Sequence, residues 1–125
     1  MDVKKQIEYW KNGAQEDFEA AKSLLEKGHY RHALFFAHLA IEKALKAHVS
    51  GATRQVPPKI HNLIRLAELA DLPLSPAQDA FLRTQNLYQL EGRYPDTAQA
   101  PVGKSEARSR VTQTQEFLTW LMSRL

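Results

Sequence analysis

Apolar residues recur at helical spacing along almost the whole chain, and the pattern predicts five helices. Over 3–27 the stripe Ile7, Trp10, Ala14, Phe18, Ala21 and Leu25 faces inward, with Glu16, Asp17, Glu19 and Lys22 on the wet side. Gly28 is a natural stop, because helices often end on a residue at positive φ. Over 30–49, HALFFAHLAIEKALKAHV is apolar on nearly all sides in its first half, which marks a central helix. Leu34, Ala37, Ile41, Ala44, Leu45 and His48 set one face, while Phe35, Phe36 and Leu39 offer a second. A helix with two apolar faces contacts several neighbours or a partner chain. Ser50-Gly51 is expected to end it.

The linker ATRQVPPK carries two prolines, which forbid helix continuation. A third helix is expected over 60–70, with Leu63, Ile64, Leu66, Ala67 and Ala70 inward. The fourth has a strong start: Ser75 caps, Pro76 takes the first helical position and Gln78 completes a capping box. Ala77, Phe81, Thr84, Leu87, Tyr88 and Glu91 are its expected inner side, and it stops near Gly92-Arg93. The loop PDTAQAPVGK leads to a fifth helix over 105–125, with Val111, Thr114, Phe117, Leu118, Leu121 and Leu125 inward. Short links imply antiparallel neighbours. The expected fold is all-α: one domain over 1–125, an up-down antiparallel bundle of four core helices plus a fifth, C-terminal helix.

Composition narrows the function classes. The absence of cysteine excludes disulfides and thiolate metal sites. No apolar signal core opens the chain and no apolar run approaches the ~20 residues that span a bilayer, so a cytoplasmic address is expected. The net charge is +3, but its distribution matters more. Residues 43–67 carry Lys43, Lys46, Arg54, Lys59 and Arg65 with no Asp or Glu. Such a segment either attracts phosphates or is simply a solvated basic loop.

Antiparallel connectivity is expected to gather the end of the second helix, the start of the third and the end of the fourth at one pole. Lys46, His48, Lys59, His61, Arg93, Tyr94 and Asp96 would then meet there. The first amides of the third helix would favour an anion. The plainer alternative is that these cations complement the negative end of the second helix. His38, Glu42 and Lys46 stand four residues apart on one helix face, as a proton relay or as a polar interface stripe. No HExxH metal motif, GxSxG elbow or glycine-rich phosphate loop is present, so no metal ligand, cofactor or catalytic nucleophile is assigned.

At FFAHLAIEKALKA (35–47), HNLIRLAEL (61–69) and NLYQLEGRYPD (86–96) the chain resembles a HEPN domain, and the likeness spans almost its whole length. Glu42-Lys43 and Leu45-Lys46 match the second-helix pattern of such domains; His38-Leu39 stands where glutamines are frequent. His61 matches the His that often opens the third helix, and Arg93-Tyr94-Pro95 the Arg-Tyr-Pro ending of the subgroup that includes the sacsin C-terminal domain. The resemblance implies dimers with sites at the dimer cleft. It also implies one of three activities: a ribonuclease, often a toxin of a toxin–antitoxin pair; a partner of a minimal nucleotidyltransferase; or a nucleotide binder. Ribonucleases of this kind carry Arg, four to six residues, then His near the end of the last core helix. Here every histidine occurs by position 61, so none follows Arg93. The expectation is a noncatalytic, nucleotide- or phosphate-binding homodimer serving a nucleotidyltransferase. Its ligand contacts would be Lys43, Lys46, His61 and Arg93, with Tyr94 stacking on a base. A variant ribonuclease and a purely structural dimer are the alternatives.

Overall fold

The computed structural model describes the backbone of residues 2–91 and 102–125, and the side chains there except those of 89–91. Among the described residues there are five helices: α1 (Val3–Glu26), α2 (Tyr30–Thr53), α3 (Leu63–Leu69), α4 (Pro76–Glu91) and α5 (Lys104–Ser123). No strand occurs among the described residues. The molecule is the all-α bundle expected; its short member is α3, and the C-terminal helix α5 is one of the four long ones.

Local chemistry explains most of the boundaries. Asp2 caps α1 by accepting from the Lys5 amide. Gly28, at φ 80°, ends it as expected, and the amides of Gly28 and His29 return to the carbonyls of Leu25 and Leu24. The Ser75–Gln78 capping box closes in both directions, at 3.1 and 2.9 Å. At Ser50-Gly51 the outcome differs: α2 continues one turn further. Ser50 is fully buried, and Gly51 sits beside Ile7 of α1. Packing against α1 therefore outweighs the roughly 1 kcal/mol penalty of a helical glycine. The helix stops only at Arg54, whose φ of 56° is left-handed.

α3 begins three residues later than expected, because Asn62 is its cap. Asn62 Oδ1 accepts from the amides of Ile64 and Arg65, and Asn86 Oδ1 on α4 takes the Leu63 amide. The Asn86 amide group in turn donates to Asn62 Oδ1.

α2 packs against all four other helices. Its Leu34, Ile41 and Leu45 are fully buried, together with Leu63, Leu66, Leu82 and Leu121. On α4 the inward face is Leu82, Gln85 and Tyr88, whereas Ala77 and Leu87 are exposed. That face is rotated from the expected stripe, and the rotation presents the Gln85 carbonyl to His38 of α2. Direction follows from paired contacts. His48 near the end of α2 meets Leu121 of α5, Phe117 of α5 meets Phe81 of α4, and Gln85 of α4 meets His38. α5 thus runs parallel to α2, and α4 runs antiparallel to it.

Replacing Asn62 with Ala should cost about 0.5–2 kcal/mol, the usual range for a lost N-cap. Urea unfolding of the two proteins would measure it; equal midpoints would show that Asn86 alone suffices.

Candidate functional site

The chemistry of the chain converges on one carboxylate in the middle of α2. Glu42 is 4% exposed. Lys46, one turn on, donates to its Oε2 at 3.1 Å. His61, from the segment before α3, lies with Nδ1 3.0 Å from Oε1. His38, one turn back, places Nε2 3.5 Å from the same oxygen, too far for a regular hydrogen bond. The Lys46 ammonium also lies 5.3 Å from the centre of the Trp10 ring on α1, within cation–π range.

Hydrogen-bond roles follow from the partners. The His38 Nδ1 faces the Gln85 carbonyl at 3.1 Å. A carbonyl only accepts, so that nitrogen donates to it, and Nε2 is the nitrogen turned to Glu42. His61 Nδ1 likewise donates to the carboxylate, which leaves Nε2 available on a side chain that is 45% exposed. This is a carboxylate-oriented imidazole, able to accept a proton or a hydrogen bond at its outer nitrogen. Burial pushes the Glu42 carboxyl up, but His38, Lys46 and His61 together outweigh it and hold the group down to about 2.

The other described residues expected at a shared pole, His48 and Lys59, lie apart from this cluster, and so does Lys43. α3 is only seven residues long, and the linker before it folds back along α2 until His61 reaches Glu42. α4 then runs toward the N-terminal half of α2, so its end does not meet the α2 C-terminus. Lys43 turns to α1 and pairs with Asp17 at 2.8 Å, lying across Gly13, so Asp17 is not on the wet side. His48 donates from Nε2 to the Leu121 carbonyl at 2.8 Å. Lys59 is exposed on the linker. Arg93, Tyr94 and Asp96 lie outside the described residues. The first amides of α3, expected to face an anion, are occupied by Asn62 and Asn86.

Sequence reasoning left Glu42 out of its site residues and placed Trp10 in a core stripe. The spacing 38, 42, 46 was the available signal for Glu42. Nothing in the spacing announces Asn62, Gln85 or Asn86. Among the described residues no group of three or more His, Asp or Glu is arranged to hold a metal ion. None of the described helices is long and apolar enough to cross a membrane.

A helical bundle with a polar cluster set into its central helix is thus the class of structure. The sequence matches the HEPN domain over residues 7–125, which include Glu42, Lys46 and His61, and the chain belongs to that family. The fold is similar to the crystal structure of TT1696 from Thermus thermophilus, with a TM-score of 0.81 and 27% identity over 96% of this chain and 98% of that one. No functionally curated protein matches the chain.

Two acid-sensitive contributions to stability follow. Glu42 moves from its ordinary 4.5 to about 2 on folding. A lowered folded value means that the ionised form favours the fold. Its contribution is whole above 4.5 and disappears as pH falls toward 2. At about 1.4 kcal/mol per pH unit this amounts to about 3 kcal/mol. His48 is lowered from 6.5 by burial, opposed by the Leu121 carbonyl and reinforced by Arg124. Stability from its neutral form is complete above 6.5 and declines as pH falls below it. Denaturant unfolding across pH should show a shallower acid limb for Glu42→Gln below 4.5 and for His48→Gln just below 6.5. Acid limbs identical to that of wild type would contradict both assignments.

Proposed function

We propose that the protein is a homodimeric HEPN domain that binds a nucleotide or another phosphorylated ligand without turning it over, as an accessory to a separate minimal nucleotidyltransferase. The carrying observation is His61, whose Nδ1 is fixed by Glu42 while Nε2 remains available on a half-exposed ring. Such a nitrogen accepts from a ribose hydroxyl or, once protonated, donates to a phosphate oxygen. Arg93 and Tyr94 are further proposed contacts, and their Arg-Tyr-Pro context fits the subgroup that includes the sacsin C-terminal domain. Lys43 and Lys46 would join only by leaving Asp17 and Glu42. Half-exposed Phe35, Phe36 and Leu39 on α2, outside the buried core, support pairing with a second copy.

The noncatalytic reading rests on the histidine inventory. Attack by a ribose hydroxyl needs a base and an acid. His38 is fully buried and His48 is turned to α5, which leaves His61 as the accessible imidazole beside Glu42. The same Glu42–His61 pair supports a second reading, a variant ribonuclease, because a carboxylate-oriented imidazole is a competent base.

Calorimetry with ATP at low salt tests the first reading. His61→Ala and Arg93→Ala should each weaken binding about ten- to a hundredfold, the effect of one lost charge-assisted contact. Added salt should weaken it further, and Arg124→Ala should leave it unchanged. Equal losses in all three variants would reduce the interaction to nonspecific charge attraction. No heat at low salt would end the proposal. RNA cleavage by the wild type that His61→Ala abolishes would establish the second reading. Light scattering that finds only monomer at micromolar concentration would remove the dimer.

A further inference from the structure

The basic character of residues 43–67 is not used up by the Glu42 cluster. Lys43 and Lys46 are tied to Asp17 and Glu42, but Arg54, Lys59 and Arg65 are exposed. Arg65 lines a groove of about 390 Å³ between the end of α2, the linker and α3, and Arg54 and Lys59 are chain neighbours of residues that line it. Its wall is mostly aliphatic, from Val49, Val56, Pro58, Ile60 and Leu69, with Thr53, Gln55 and Arg65 as its polar members. Val56, on its wall, is 62% exposed.

The linker that builds this groove is held in place from within. The Thr53 hydroxyl donates to the Val49 carbonyl at 2.8 Å and accepts from the Gln55 amide at 3.2 Å. Arg54 takes the left-handed turn with its amide on Ser50, and the Ile60 amide bonds to Pro58. Pro57 is buried beneath. A groove with a fixed wall loses little conformational freedom when it is filled.

We infer that the groove formed by Val49, Val56, Pro58, Ile60, Arg65 and Leu69 docks a segment of another protein that presents an aliphatic side chain flanked by aspartate or glutamate. Charge complementarity selects the acidic partner: Arg65 lines the groove, Arg54 and Lys59 are exposed on the linker that forms it, and the Glu68 carboxylate, 3.6 Å from Arg65 in an exposed pair, offsets only part of that charge. Wall chemistry disfavours RNA as the occupant. Single-stranded RNA is held by stacking on aromatic rings, and none lines this groove. Concavity disfavours a lipid surface, which is met by protruding apolar residues rather than a recess.

Random peptides displayed on phage, selected against the full chain, test this directly. Enriched peptides should share an aliphatic residue with Asp or Glu within a few positions. A synthetic copy of one should bind the wild type in fluorescence anisotropy. Val56→Asp and Arg65→Glu should each weaken it by about tenfold or more, and the same peptide with its acids changed to lysine should recover binding to Arg65→Glu. His61→Ala should bind the acidic peptide as wild type does, which separates this surface from the nucleotide site. Both substituted positions are exposed, and thermal melting by circular dichroism confirms the fold; if one variant melts early, the other decides. Peptides without the acidic–aliphatic pattern, or equal binding to wild type and both variants, would overturn the proposal. So would oligouridylate RNA that binds the wild type and is lost in Val56→Asp, because the groove would then belong to RNA.

Discussion

An ionised carboxylate inside a helix that touches every other helix is the constraint around which this bundle is arranged. Taking such a group out of water costs several kcal/mol unless partners surround it. Glu42 finds Lys46 and His38 on its own helix, one turn to either side. The third partner, His61, is nineteen positions away and arrives only because the linker doubles back along α2. That return leaves room for a single short helix, α3, before the chain must turn into α4. His38 then fixes the level of α4 by bonding to its backbone. His38, Glu42 and His61 thus tie α2, the linker and α4 to one another.

The same requirement redistributes the positive charge. Two of the lysines that make the central segment look basic are neutralised by carboxylates of α1 and α2. What reaches solvent beside Glu42 is an oriented imidazole, a weaker but more directional group than an ammonium. The cations that do reach solvent lie further along, on the linker and α3. Charge that appears contiguous in sequence is therefore separated into an inner, paired set and an outer, exposed set.

Much of the fold was legible because its signals are local. Gly28, the Ser75–Gln78 box and the 3.6-residue periodicity each act within a turn or two of chain. The misplaced boundaries share a different cause. Ser50-Gly51 failed as a stop because Ile7, more than forty positions away, packs against it. The start of α3 moved because Asn86 of α4 completes its cap. The inner face of α4 is Leu82, Gln85 and Tyr88, a rotation that brings a main-chain carbonyl to His38 on a distant helix. For the site, the four-residue spacing placed His38, Glu42 and Lys46 on one face, and His61 and Trp10 join them from other elements. The expected pole failed because a seven-residue α3 cannot carry the chain the length of the bundle.

The contact between His38 and α4 has an evolutionary consequence. Its acceptor is the main-chain oxygen of residue 85, which every amino acid supplies. Substitution at 85 can disturb the helix spacing through bulk, but it cannot delete the acceptor. Positions 38 and 85 are therefore free to drift independently in this respect. Positions 42 and 61, and likewise 62 and 86, meet through side-chain atoms and are bound to change together. Among homologous sequences, the cluster should leave a covariation trace across the α2–linker boundary and across the α3 cap. The contact that levels α4 should leave none, however strongly the fold depends on it.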